Sequence, residues 1–179
     1  LAILGAKIED IYDLLNLFKE KGVCEIANDN ADGQVIVSGD KDSIFSFQSL
    51  LKEKKIKSIP LKVSAPFHCS LMKSAADKMS DKIKNTNFRS PTHSILSNVT
   101  AKIEKNPENI KKLLIDQIFS TVKWRETIIN ISNEGVSNFV EIGPGKVLTG
   151  MVKRTLKDVK TFSINSIADI KNLTNELKR

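Results

Sequence analysis

The feature that most constrains the fold is the way apolar spacing changes along residues 1–63. Ala2-Ile3-Leu4 is a short apolar run, after which Ile8, Ile11, Leu14, Leu15 and Phe18 recur at helical spacing, with Gly22 as the stop. Cys24-Glu25-Ile26-Ala27 and Gln34-Val35-Ile36-Val37 flank Asn28-Asp29-Asn30-Ala31-Asp32-Gly33 as a hairpin-like pair. A second helix, from about Asp40 to Lys55, puts Ile44, Phe47, Leu50 and Leu51 on one face, and Ile59, Leu61 and Val63 alternate as a last strand.

Strand, helix, strand, strand, helix, strand is the order of a ferredoxin-like βαββαβ unit, expected as a four-stranded antiparallel sheet with two helices on one face. From residue 64 helices alternate with isolated strands, as in part of an α/β domain. Leu71, Ala75, Met79 and Ile83 predict one helical face, and Ser94 to Ser97 a short strand. Asn106-Pro107 starts a helix running to about Phe119, with Ile110, Leu113, Leu114 and Gln117 inward. Trp124, Ile128 and Ile131 predict another helix, and Asn138–Ile142 and Thr161–Asn165 predict strands. Ser166 caps a terminal helix carrying Ile167, Ile170, Leu173 and Leu177. The expected division is therefore 1–63 and 64–179.

With 40% hydrophobic and 27% charged residues the composition is that of an ordinary globular chain. No apolar run approaches the roughly 20 residues of a membrane span, and Leu1 to Gly5 is too short for a signal-peptide core, so no membrane association and a cytoplasmic setting are expected. Cys24 and Cys69 lack metal-ligand spacing and disulfide density, which predicts reduced thiols. The formal net charge of +7 could favour an acidic partner, but the lysines are scattered, and their densest cluster, Lys52 to Lys57, reads as a helix end. RNA binding is disfavoured, because the two strands taken as central, Cys24–Ala27 and Gln34–Val37, hold no aromatic residue on which a base could stack.

Chemistry concentrates in Ser64-Ala65-Pro66-Phe67-His68-Cys69-Ser70-Leu71-Met72, a strand-to-helix junction of the kind that presents a side chain into a crevice. With an ordinary pKa of about 6.5, an imidazole there can take a hydroxyl proton and return it to a leaving group. Adjacent side chains diverge, so Cys69 reads as a small packing thiol and not as a partner nucleophile; His93 has no metal-spaced partner and reads as structural. Gly143-Pro144-Gly145 lacks P-loop spacing and reads as a tight strand-to-helix turn.

The strings SAPFHCSLM, SNVTA, EIGPGKVLTGM and IANDNADGQVIVSG occur in the order found in malonyl-CoA:acyl-carrier-protein transacylases, and nearly the whole chain resembles the C-terminal portion of that family. The resemblance implies an α/β-hydrolase-like acyltransferase domain following the ferredoxin-like subdomain. It also implies malonyl transfer from malonyl-CoA to the phosphopantetheine thiol of acyl carrier protein in bacterial fatty acid synthesis, by a Ser/His ping-pong route without cofactor or metal. His68 matches the family's histidine, and Gln117 the position whose main-chain carbonyl orients it. Asn98 matches a site-lining asparagine, and Phe67 weakly favours malonyl over a C2-methylated acyl group. The family's GHSxGE nucleophile segment is not in this sequence, nor is any GxSxG. The chain is therefore expected to be a fragment, or the histidine half of an enzyme whose N-terminal half is separate, inactive alone. The alternative is a carrier-protein-binding remnant that performs no chemistry.

Overall fold

The computed structural model describes residues 1–18 and 22–177. It separates into two compact units, Leu1–Thr127 and Ile128–Arg179.

In the first unit the chain runs β1 (Ala2–Leu4), α1 (Ile8–Leu17), β2 (Cys24–Ala31), β3 (Gln34–Gly39), α2 (Lys41–Glu53) and β4 (Lys57–Ile59). The strands form one sheet in the order β2-β3-β1-β4, each neighbouring pair antiparallel. Ile3, Val35 and Val37 stand on one face of the pleat and are buried with Ile11, Phe47 and Leu51 from the helices. Each such side chain contributes on the order of 1.5–3 kcal/mol of burial. Phe18 and Phe47 close the cluster edge to face, with ring centroids 5.2 Å apart. Gly39 is required by contact, since a Cβ there would collide with the carbonyl oxygen of Val23.

Three expectations are corrected here. The predicted hairpin loop is mostly strand: β2 continues to Ala31 with register shifts, and only Asp32-Gly33 turn, the glycine at φ +69°. An Asp-Gly pair suffices for a two-residue hairpin. The last strand covers Lys57–Ile59 and not Ile59–Val63, because Pro60 has no N–H to continue the ladder. The central strands are β1 and β3, with β2 outermost in the ladder; β1 and β3 also carry no aromatic residue.

Residues 64–127 continue with a 3-10 turn at Ser70–Met72, α3 (Lys73–Lys84), the short pair β5 (Ile95–Leu96) and β6 (Ile103–Glu104), and α4 (Pro107–Asp116); α5 (Trp124–Asn133) then runs across the unit boundary. The inward face of α3 centres on Ala76, fully buried, while Leu71 and Met79 are exposed. The 3-10 turn before α3 shifts the helical phase by about one position from that predicted. The Asn106 side chain accepts from the amides of Glu108 and Asn109, capping α4 with Pro107 in its first turn.

The compact unit extends past residue 63 because the segment after α4 is stitched along β2. Thr121 Oγ1 donates to Ile26 O (2.6 Å), Val122 N to Ala27 O (2.8 Å), and Asp29 N to Val122 O (2.9 Å). Arg125 Nε lies 3.0 Å from both carboxylate oxygens of Asp29. Burial pushes that carboxyl above its ordinary range despite the guanidinium, so the contact is a demanding one to keep.

The second unit pairs β7 (Asn138–Ile142) with β8 (Lys160–Ile164) in parallel, Val140 opposite Phe162. Between them runs α6 (Val147–Thr155), and after them α7 (Ile167–Leu177). Ser166 Oγ accepts from the Asp169 amide at 3.3 Å and donates to its carboxylate at 2.8 Å, the expected cap. Among the described residues no helix is long and apolar enough to cross a membrane.

Candidate active site

His68 sits between β4 and α3 with φ +61°, a left-handed conformation uncommon for a residue with a Cβ. The turn is held on both sides. Cys69 is fully buried and its Sγ donates to Pro66 O at 3.2 Å, while Ser70 donates from N (2.8 Å) and Oγ (2.5 Å) to the two oxygens of Glu25 on β2.

The imidazole Nδ1 lies 2.9 Å from the main-chain oxygen of Gln117. Gln117 is the C-cap of α4, so its carbonyl is one of the terminal acceptors that a helix leaves without an internal donor. A carbonyl only accepts, so Nδ1 carries the proton and Nε2 keeps its lone pair. The Gln117 side chain completes the arrangement, its Oε1 accepting from Asn98 Nδ2 at 3.4 Å, and Asn98 O accepts from Lys123 N at 2.8 Å. His68, Gln117 and Asn98 thus form one connected group; Phe67, 46% exposed, flanks it.

His68 borders two cavities of the first unit. One, of about 410 Å³, is lined by residues of β2 and β3, Asn28, Asn30 and Gln34 among them, and by Val63 and Phe67. Gln34 Oε1 there is a buried acceptor without a hydrogen-bond partner. The other, of about 430 Å³, is lined by Tyr12, Leu15, Cys24, Glu25 and Phe119. Sequence reasoning missed Glu25, Asn28, Asn30 and Gln34. The spacing of Asn28 and Asn30 was a usable signal, since alternate strand residues share a face.

Several competing groups are set aside by their surroundings. Burial raises the Cys24 thiol to about 12 and pushes Cys69 up as well, so neither thiolate is available near neutral pH. His93 Nδ1 meets Thr92 Oγ1 at 3.0 Å on the surface, and among the described residues no cluster of His, Cys, Asp or Glu could hold a metal. At the Gly-Pro-Gly turn, the amides a phosphate would need are taken: Leu148 N and Thr149 N donate to the Glu141 carboxylate at 3.2 and 2.8 Å. The hydrogen bond from Thr149 Oγ1, and after it these amide bonds, hold the Glu141 carboxyl below its ordinary range.

Residues 18–178 match the family model described as "Acyl transferase domain". The chain belongs to that acyl transferase family. The family's relatives include the malonyl CoA-acyl carrier protein transacylase of Haemophilus influenzae, 38% identical over 168 residues, 93% of this chain and 54% of the relative. The chain is also similar to an acyl carrier protein S-malonyltransferase structure from Vibrio cholerae, with TM-score 0.92 and 36% identity over 96% of this chain and 56% of that one. A malonyl-transacylase solved in complex with its type II PKS acyl-carrier protein gives TM-score 0.92 at 35% identity, covering 97% of this chain and 57% of that one. The chain spans about half the length of the curated relatives it matches.

Proposed function

We propose that this chain is the histidine-bearing part of a malonyl-CoA:acyl-carrier-protein transacylase, with residues 1–63 as its ferredoxin-like subdomain and 64–179 as part of its larger acyltransferase domain. The observation that carries the reading is the 2.9 Å contact from His68 Nδ1 to Gln117 O, which leaves Nε2 as a proton acceptor beside a cavity.

A serine hydroxyl, supplied from outside the sequence in hand by a GHSxGE segment, gives its proton to Nε2 as its oxygen attacks the malonyl thioester carbonyl. The tetrahedral intermediate collapses, the C–S bond breaks, and the departing coenzyme A sulfur takes the proton from Nε2. In the second half the carrier's phosphopantetheine thiol gives its proton to Nε2, attacks the malonyl-serine ester, and the serine oxygen leaves with that proton. The Gln117 carbonyl stabilises the transient imidazolium through Nδ1–H in both halves. The cavity beside Phe67 suits a pantetheine arm: Asn28, Asn30 and Gln34 offer amide partners for its two amides, and Val63 and Phe67 cover its methylenes.

The test combines the chain with a polypeptide carrying GHSxGE and follows transfer of labelled malonyl from malonyl-CoA to acyl carrier protein. His68→Ala is expected to lower turnover by roughly 10²–10⁴-fold, the usual range for losing a general acid–base group. Turnover unchanged by His68→Ala, with carrier binding retained, selects the non-catalytic carrier-binding reading instead.

A further inference from the structure

We infer that Glu25 is a positioning residue for His68, acting through Ser70; this rests on the reading of His68 as the proton acceptor. A side chain with a Cβ held at φ +61° is in a sparsely populated conformation that persists only where its surroundings fix it. Three restraints surround this one. Cys69 Sγ closes the turn onto Pro66 O, the imidazole reaches Gln117 O, and both donors of Ser70 end on the Glu25 carboxylate. The Glu25 restraint ties the turn to the sheet.

Its place on β2 gives that restraint its meaning. Glu25 anchors the residue two beyond His68, while the next two residues of the strand, Ile26 and Ala27, accept from Thr121 and Val122 in the segment that follows Gln117. The imidazole and the carbonyl that orients it are therefore both referenced to three consecutive residues of one strand. A strand paired into the sheet holds such a spacing, the register shift at Ala27 being part of the fixed geometry. Without the carboxylate, the turn loses two charge-assisted bonds and relaxes toward negative φ, which swings Nδ1 away from the Gln117 carbonyl.

The experiment reads the neutral-imidazole tautomer of His68 by nitrogen NMR on the 179-residue chain at about pH 8, above the ordinary histidine pKa. The wild type is expected to show Nδ1–H. In Glu25→Ala the Nδ1–H preference of His68 is lost, His93 stays unchanged as an internal reference, and Glu25→Gln, which still accepts from the Ser70 amide, restores most of it. Ser70→Pro removes both donors without touching the strand. It suits the first position of a helical turn, and Cys69, at φ −137° and ψ 172°, has the extended backbone required before proline. It decides the matter if Glu25→Ala does not fold. In the complemented enzyme Glu25→Ala is expected to lower kcat by roughly 10- to 100-fold with KM within about twofold of wild type. A folded Glu25→Ala or Ser70→Pro chain that keeps the wild-type His68 tautomer overturns the inference. If His68→Ala itself leaves transfer intact, the catalytic reading fails instead, whatever the tautomer does.

Discussion

Of the nucleophilic side chains beside His68, neither thiol is set up to attack. Cys24 and Cys69 are both held protonated by burial, Cys24 with a pKa of about 12. Iodoacetamide at about pH 8, near a free thiol's ordinary pKa of about 8.5, should leave both unmodified in the folded chain and modify both after unfolding. Mass spectrometry gives the count, and rapid alkylation of either in the native state contradicts the packing described. In the complemented transfer assay Cys69→Ser should retain substantial activity where His68→Ala does not; the reverse order would put a cysteine nucleophile in place of the proposed mechanism.

Among the elements, α6 depends on a carboxylate that is not its own. Glu141 at the end of β7 receives the Leu148 and Thr149 amides, and its folded pKa is depressed by Thr149 and those bonds. A depressed carboxyl adds stability that is fully present above its unfolded pKa of about 4.3 and is lost as pH falls through the lower folded value. Thermal melts of wild type and Glu141→Gln should therefore differ at about pH 7 and converge toward about pH 3. A gap that persists in acid would mean the charge is not what matters. The Gly-Pro-Gly turn was visible in the sequence, but the residue filling its amides was not, because Glu141 precedes the turn on a strand and reads there as an ordinary exposed position. The elements written in short-range spacing were legible in the same way: the helical repeats of α1 and α2, the Asn106-Pro107 start and the β7 and β8 runs. Those governed by contacts distant in sequence were misjudged. The phase of α3 follows its 3-10 entry, and the extent of β2 follows its partners in β3 and the 121–122 segment. Likewise His68 stands out as a candidate in its string, whereas Glu25 lies 45 residues from its partner Ser70 and carries no local signature.

For the molecule as a whole, the sequence of 179 residues contains no GxSxG string of the kind that forms a nucleophile elbow. Incubation with labelled malonyl-CoA should leave the chain unlabelled, and adding the complementary polypeptide should place label on that partner's serine. Stoichiometric label on this chain would require another acyl acceptor within it.

The strap from Thr121 to Val122 has a consequence for solubility during folding and storage. A four-stranded open sheet exposes two rows of unpaired backbone groups, each a template for adding further chains. Here the strap takes up the middle of the β2 row, at Ala27 and Asp29, and the row on β4 is three residues long, bears Lys57 and ends at Pro60. An added strand would therefore meet the protein's own backbone midway along one edge of this sheet and a cation and a missing N–H on the other.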